Sequence, residues 1–233
     1  LTGSQLPIGK MRTDGKENLI TALEIAADKD ETGRPIVPEL CIYMQKLLMR
    51  GNRTTKVNAD HFSAFNSPNY PYLAEAGLDI RYNKTAILRQ NEDRPVCFNY
   101  ELDRYMVVLK LFPGISREVV RAHLTVPGLR GVVLETYGTG NSPINPWFME
   151  MIKDAVERGI VVVNVTQCLY GSVEMHRYEN GQRLERIGVI GGYDITTEAA
   201  LAKLMALFGK GYSPVEVKEL MYQSLRGEIT VRR

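Results

Sequence analysis

Lys56 closes the run Arg53-Thr54-Thr55-Lys56, in a turn that follows an apolar stretch. A lysine there is either an ordinary solvated loop side chain or a desolvated one beside another cation, able to take a proton from a hydroxyl nucleophile. Spacing alone leaves both readings open. Three further loops combine glycine with small hydroxylic or amide residues: Thr2-Gly3-Ser4-Gln5, Gly138-Thr139-Gly140-Asn141-Ser142-Pro143 and Thr166-Gln167-Cys168. Backbone can approach a small polar ligand closely at such places, but each alone is a weak signal, and a plain tight turn is the commoner explanation of the Gly138 loop. The Gly138-Thr139-Gly140 stretch has no third glycine of a dinucleotide fingerprint, and no Gly-Lys-Ser/Thr follows it.

Other chemistries find less support. His61, His123 and His176 are far apart and no Cys-x-x-Cys occurs, so no metal site is expected. A Cys168–His176 nucleophile pair is conceivable, but a small buried thiol is the commoner explanation. Cys41, Cys97 and Cys168 are odd in number and well separated, which predicts reduced, buried thiols rather than a disulfide framework. The 29 basic and 27 acidic residues give a net charge of +2 without a long single-sign run, so neither nucleic acid nor a membrane is an expected partner. No segment approaches the roughly 20 apolar residues of a membrane span.

The elements that must position these loops can be read from hydrophobic period and punctuation. Residues 14–28 carry Leu19, Ile20, Leu23, Ala26 and Ala27 at helical spacing, with Asp14 and Glu17 placed as a cap and third helical residue. Residues 37–49 predict a strand and a second extended piece, broken at Gln45-Lys46. From Tyr105 onward strands (105–111, 131–135, 160–165, 189–192) alternate with helices (after Ser116, 146–158, 196–208, 214–225). Tyr178 to Glu185 is expected to be a loop. Alternation with short connections predicts an α/β fold of two domains with mainly parallel sheets. Charges cluster between Arg81 and Asp103, which places residues 1–82 in the first domain, 83–103 in a linker and 104–233 in a second domain.

Taken together, the loops resemble the bacterial-type L-asparaginases. The blocks are Thr2-Gly3-Ser4-Gln5-Leu6-Pro7, Arg12-x-Asp14-Gly15-x-x-Asn18-Leu19, Arg50-Gly51-Asn52-Arg53-Thr54-Thr55-Lys56, Phe65-x-Ser67-Pro68-Asn69, Gly138-x-Gly140-Asn141-x-Pro143, and Thr166-Gln167-Cys168 with Val189-Ile190-Gly191-Gly192. Six blocks in order resemble most the cytoplasmic, type I branch. The resemblance implies hydrolysis of L-asparagine to L-aspartate and ammonia without a cofactor, by a threonine nucleophile and a second threonine–aspartate–lysine triad. It also implies a homo-oligomer, a dimer of dimers, in the cytoplasm. Lys56 matches the triad lysine, Ser4 lines the amide end of the substrate, and Asn141 matches the asparagine that reaches a partner subunit's site.

The sequence contains neither the Thr-Gly-Gly-Thr nor the Thr-Asp-Thr block of that family, and both are expected upstream of Leu1. Thr55 and Cys168 match the neighbourhood of a regulatory asparagine site in some type I members. Glu135 stands where those members carry an arginine, and a carboxylate there would repel the ligand's own, so no allosteric response is expected. Two rival readings remain: the asparaginase-like subunit of a tRNA-dependent amidotransferase, and a catalytically incomplete amino-acid-binding protein.

Overall fold

A computed structural model describes residues 1–89 and 97–231. They form two compact units, parted in sequence between Val96 and Cys97. Residues 90–96, the middle of the expected linker, lie outside the described residues.

The first unit begins with a loop and helix α1 (Gly15–Ala27), followed by β1 (Cys41–Met44) and β2 (Leu47–Arg50). Gln45 and Lys46, at φ 48° and 69°, join these two strands as a tight hairpin. Both central residues of such a turn must be left-handed, a geometry that matches the twist of the strands and that Asn-Gly normally supplies. The extended run expected at 37–49 is therefore a hairpin. After a short 3-10 turn (Gly51–Arg53) come β3 (Thr55–Lys56), β4 (Phe65–Asn66), β5 (Ala74–Ala76) and β6 (Ile80–Tyr82). One sheet has the order β1-β2-β5-β6 and is antiparallel throughout, and β3 pairs with β4 in a separate antiparallel ribbon. Parallel pairing, expected of both domains, is absent among the described strands of this one. Tyr43, Leu48, Leu73 and Ala74 form its core with Ile25 of α1.

The second unit is the expected α/β alternation: β7 (Met106–Lys110), α2 (Arg117–Leu124), β8 (Gly131–Thr136), α3 (Pro146–Glu157), β9 (Val161–Thr166), α4 (Glu179–Arg186), β10 (Ile190–Gly191), α5 (Thr197–Gly209) and α6 (Pro214–Met221). The four strands are parallel in the order β10-β9-β8-β7, so each new strand lies beside its predecessor. Progression in one direction, with crossovers of one hand, puts the intervening helices on one face. Accordingly Val120, Phe148, Ile152 and Leu184 of α2, α3 and α4 pack on Val132, Leu134 and Val162. The opposite face, Val133, Val161, Val163 and Val165, is covered by Ala200, Leu204 and Val217 of α5 and α6.

Helix α4 replaces the loop expected at 178–185. Its sequence, ENGQRLER, is nearly all polar, with only Leu184 among its large side chains fully buried. A close backbone approach fixes it instead, because a Cβ on Gly181 would stand 2.5 Å from the Met175 carbonyl oxygen. Helix α6 stops at Met221, four residues before the expected end. The cysteines also differ from expectation. Cys41 is buried, whereas Cys97 and Cys168 are exposed, since both sit outside the sheets. Among the described residues no helix is long and apolar enough to cross a membrane, and no three His, Cys, Asp or Glu residues cluster to hold a metal ion.

Candidate active site

In the first unit, residues 2–6 are held by side chains from α1. Asp14 was expected to cap the helix, but its own backbone is helical and its side chain makes no cap bond. The carboxylate turns back instead and accepts hydrogen bonds from the backbone N–H groups of Gln5 (3.0 and 3.1 Å) and Leu6 (3.3 Å). Buried Asn18 donates to the Gly3 carbonyl at 2.9 Å and to Asp14 at 3.1 Å, and accepts from the Gln45 N–H. Thr2 Oγ1 donates to the Tyr43 carbonyl of β1 at 2.8 Å. Ser4 is thereby presented, exposed, at the mouth of α1. Gly15 permits this, because a Cβ there would lie 3.1 Å from that of Ser4. In the sequence Asp14 and Asn18 stood in one motif block and in a helix, with no sign of the loop they hold beyond their spacing of four, which lets both serve one loop.

Thr55 and Lys56 adjoin on β3, and the strand's two-residue alternation sends them to opposite faces of the ribbon. Beneath them Arg50 and Arg53 are buried, with guanidinium carbons 4.3 and 5.0 Å from the centroid of the Tyr70 ring. Arg50 is also paired with Glu39, at 2.5 Å from Nε and 3.1 Å from Nη2. Thr54 Oγ1 donates to the Arg50 carbonyl at 2.7 Å. This buried platform fixes the backbone that carries Thr55 and Lys56. Lys56 itself is exposed, with its ammonium 5.9 Å from the Phe65 ring centroid. The described residues of its own unit therefore do not desolvate it.

In the second unit, Asn141 and Cys168 both emerge at the carboxyl end of the parallel sheet, where ligands of α/β sheets commonly sit. Asn141 ends a turn closed by reciprocal backbone bonds with Tyr137, 2.9 and 2.8 Å long. Gly138 and Gly140 adopt φ of 51° and 112° within it, conformations open to glycine. Thr166 Oγ1 links the two loops: it donates to the Gly138 carbonyl at 2.5 Å and accepts from the Cys168 N–H at 3.0 Å. Two buried hydroxyls flank Asn141 in sequence, Thr139 Oγ1 and Ser142 Oγ, and neither has a hydrogen-bond partner among the described residues. Glu135 accepts from Thr197 Oγ1 at 2.7 Å and lies 3.5 Å from the Lys110 ammonium, so its charge is partly met by the protein itself.

These loops carry hydroxyl, amide and ammonium groups, the equipment of acyl or amide chemistry rather than of redox or metal work. Comparison with known proteins agrees. Residues 1–88 match the family model described as "Asparaginase, N-terminal", and residues 106–221 match the "Glutaminase/Asparaginase C-terminal domain". The chain is 42% identical over 231 residues to the 60 kDa lysophospholipase of Homo sapiens, covering 99% of this chain and 39% of the relative. It is 41% identical over 230 residues to L-asparaginase 1 of Escherichia coli K12, covering 99% and 66%. The solved structure of L-asparaginase I from Vibrio cholerae superposes with a TM-score of 0.89 at 43% identity, covering 98% of this chain and 67% of that one. The chain thus spans about two-fifths of the mammalian relative and about two-thirds of the bacterial ones. With both models matched in order over nearly its whole length, the chain belongs to the asparaginase family.

Proposed function

We propose that this chain is the substrate-handling part of a type I-like L-asparaginase, cytoplasmic and built as a dimer of dimers, that hydrolyses L-asparagine to L-aspartate and ammonia. In this reading residues 1–82 belong to the larger domain, 83–103 to a linker and 104–233 to the smaller domain. The supporting observation is that the Thr55-Lys56 ribbon and the Asn141 turn, which match two family motifs, each rest on a rigid foundation. Lys56 takes the proton of a threonine hydroxyl supplied by the family's Thr-Gly-Gly-Thr block, and the alkoxide attacks the side-chain amide carbon. The proton taken from the threonine returns through Lys56 to the amide nitrogen, which leaves as ammonia, and water then hydrolyses the threonine ester to release aspartate. Desolvation of Lys56 has to come from outside the described residues of its own unit. Ser4 lines the amide end of the substrate, and Asn141 reaches toward the site of a partner subunit. Thr55 and Cys168 match the neighbourhood of a regulatory asparagine site in some type I members, and Glu135, in place of their arginine, disfavours that ligand's carboxylate.

The test is ammonia release by the intact protein with L-asparagine as substrate, with and without Lys56→Ala. General-base assistance contributes about 10²–10⁴-fold, so the variant should lose that much of kcat while keeping its melting temperature. Full activity in the variant would refute the role of Lys56. Two mammalian relatives are called lysophospholipases, so release of fatty acid from a lysophospholipid, with no ammonia from asparagine, is the second reading. Asparagine raising the melting temperature without hydrolysis would instead favour an amino-acid-binding protein.

A further inference from the structure

Strand β9 is a run of valines interrupted by one amide, Val161-Val162-Val163-Asn164-Val165. Asn164 is wholly buried, and strand alternation puts it on the face of Val162. Every polar group of its side chain is engaged. Oδ1 accepts from Thr136 Oγ1 at 2.7 Å, and Nδ2 donates to the Gly140 carbonyl at 3.3 Å and to Met175 Sδ at 3.2 Å. Its main-chain carbonyl accepts from the Gly192 N–H at 2.8 Å. One residue of an interior strand thus ties down the loops after β8 and β10.

Packing alone does not call for an amide here. A valine would continue the strand without the cost of desolvating an amide. The amide instead holds one peptide unit. The Gly140 carbonyl belongs to the planar group whose nitrogen is that of Asn141, so holding that oxygen sets the plane from which Asn141 departs. Contact is close: a Cβ on Gly140 would stand 3.1 Å from Asn164 Nδ2 and 3.0 Å from Val173 Cγ1.

We propose that Asn164 is a positioning residue for Asn141, fixing the tilt of the 140–141 peptide so that the Asn141 side chain is presented to L-asparagine. Presentation to L-asparagine rests on the function proposed above.

The experiment compares Asn164→Val, Asn141→Ala and their combination in the intact protein. Asn164→Val should raise KM for L-asparagine about 5- to 20-fold with kcat within about threefold. It should add nothing to Asn141→Ala. Amide exchange at Asn141 should quicken at least about tenfold, while the amides of the β9 valines stay protected. Unchanged exchange at Asn141, or KM effects that multiply in the double variant, would overturn the proposal. The exchange readout needs no turnover, so quickened exchange in a protein that releases no ammonia would leave the positioning standing and remove only the assigned activity. If Asn164→Val does not fold, Thr136→Val and Thr136→Ser replace it. Loss of the hydroxyl frees the Asn164 amide and should reproduce both effects, and the serine should keep the parent values. Identical behaviour of the two Thr136 variants would again refute the proposal.

Discussion

Lys203 and Glu228 form an ion pair of 2.7 Å with side chains only 6% and 5% exposed, and it offers a sharp test of the energetics of the second unit. Lys203, on α5, also donates to the carbonyls of Met221 at 3.3 Å and Gln223 at 2.5 Å, at the end of α6. Glu228 accepts from the N–H groups of Leu225 at 3.0 Å and Arg226 at 2.6 Å. Glu228→Gln keeps the shape and removes the charge. An uncompensated buried ammonium costs about 3–5 kcal/mol. The two carbonyls offset part of this, so the expected loss is about 2–4 kcal/mol, or roughly 5–15 °C in the unit's melting transition. Burial pushes the Lys203 ammonium below its ordinary pKa despite Glu228, so the cation is itself expensive. The double variant Lys203→Met/Glu228→Gln should therefore return to within about 1–2 kcal/mol of the parent. Burial opposes the Glu228 carboxylate, but Lys203 and the backbone N–H groups outweigh it and hold its pKa below the ordinary 4.5. A carboxylate lowered on folding stabilises above its unfolded pKa and loses that contribution as pH falls through the folded one. The gap between parent and Glu228→Gln should thus be complete at pH 7 and close below about pH 4.5. Thermal unfolding followed by circular dichroism at both pH values is the assay. A loss under about 1 kcal/mol, or a gap that widens in acid, would refute this account.

Lys46→Gly should stabilise the first unit by about 0.5–1 kcal/mol, because φ of 69° strains a lysine and suits glycine; a lower denaturation midpoint would count against the hairpin geometry. Asp14→Ala removes the acceptor of the Gln5 and Leu6 N–H groups and should speed their amide exchange more than tenfold, with protection of β1 unchanged. Cys41 should resist thiol reagents in the native protein and react only on unfolding, because burial first and Glu39 second push its thiol up to about 12; a stoichiometric native reaction at Cys41 would be the contrary result.

The second unit was readable because three of its five helices announce their start with a capping side chain and α3 begins on Pro146. Ser116 accepts from the Val119 N–H, Thr196 from Ala199, and Ser213 closes a box with Glu216. Its strands are apolar runs bounded by glycine and proline, so their existence follows from composition alone. The first unit was harder. Strands of two or three residues such as β3 to β6 carry too few positions for a period to show, and long-range pairing decides them. Helix α4 escaped notice because a glycine contact rather than an apolar stripe seats it. Motif and turn chemistry pointed to Ser4, Lys56 and Asn141 as candidates, and the structure places Ser4 and Lys56 exposed and Asn141 at the end of a glycine-containing turn. The motifs marked Asp14 and Asn18 as members without showing that both hold the loop at residues 3–6, and they did not reveal Asn164, because an amide bonded across the fold looks in sequence like a strand defect.

The one-directional strand order of the second unit also bears on how it is made. Each β-α step adds next to the last, so a ribosome releasing β7 first can lay the sheet down in the order of synthesis, with short loops to close. One face is sheltered as it grows, because α2, α3 and α4 arrive between the strands they cover. Val133, Val161, Val163 and Val165 wait until residues 197–221 have emerged. During that interval a valine surface faces the solvent, and crowded nascent chains would meet there first.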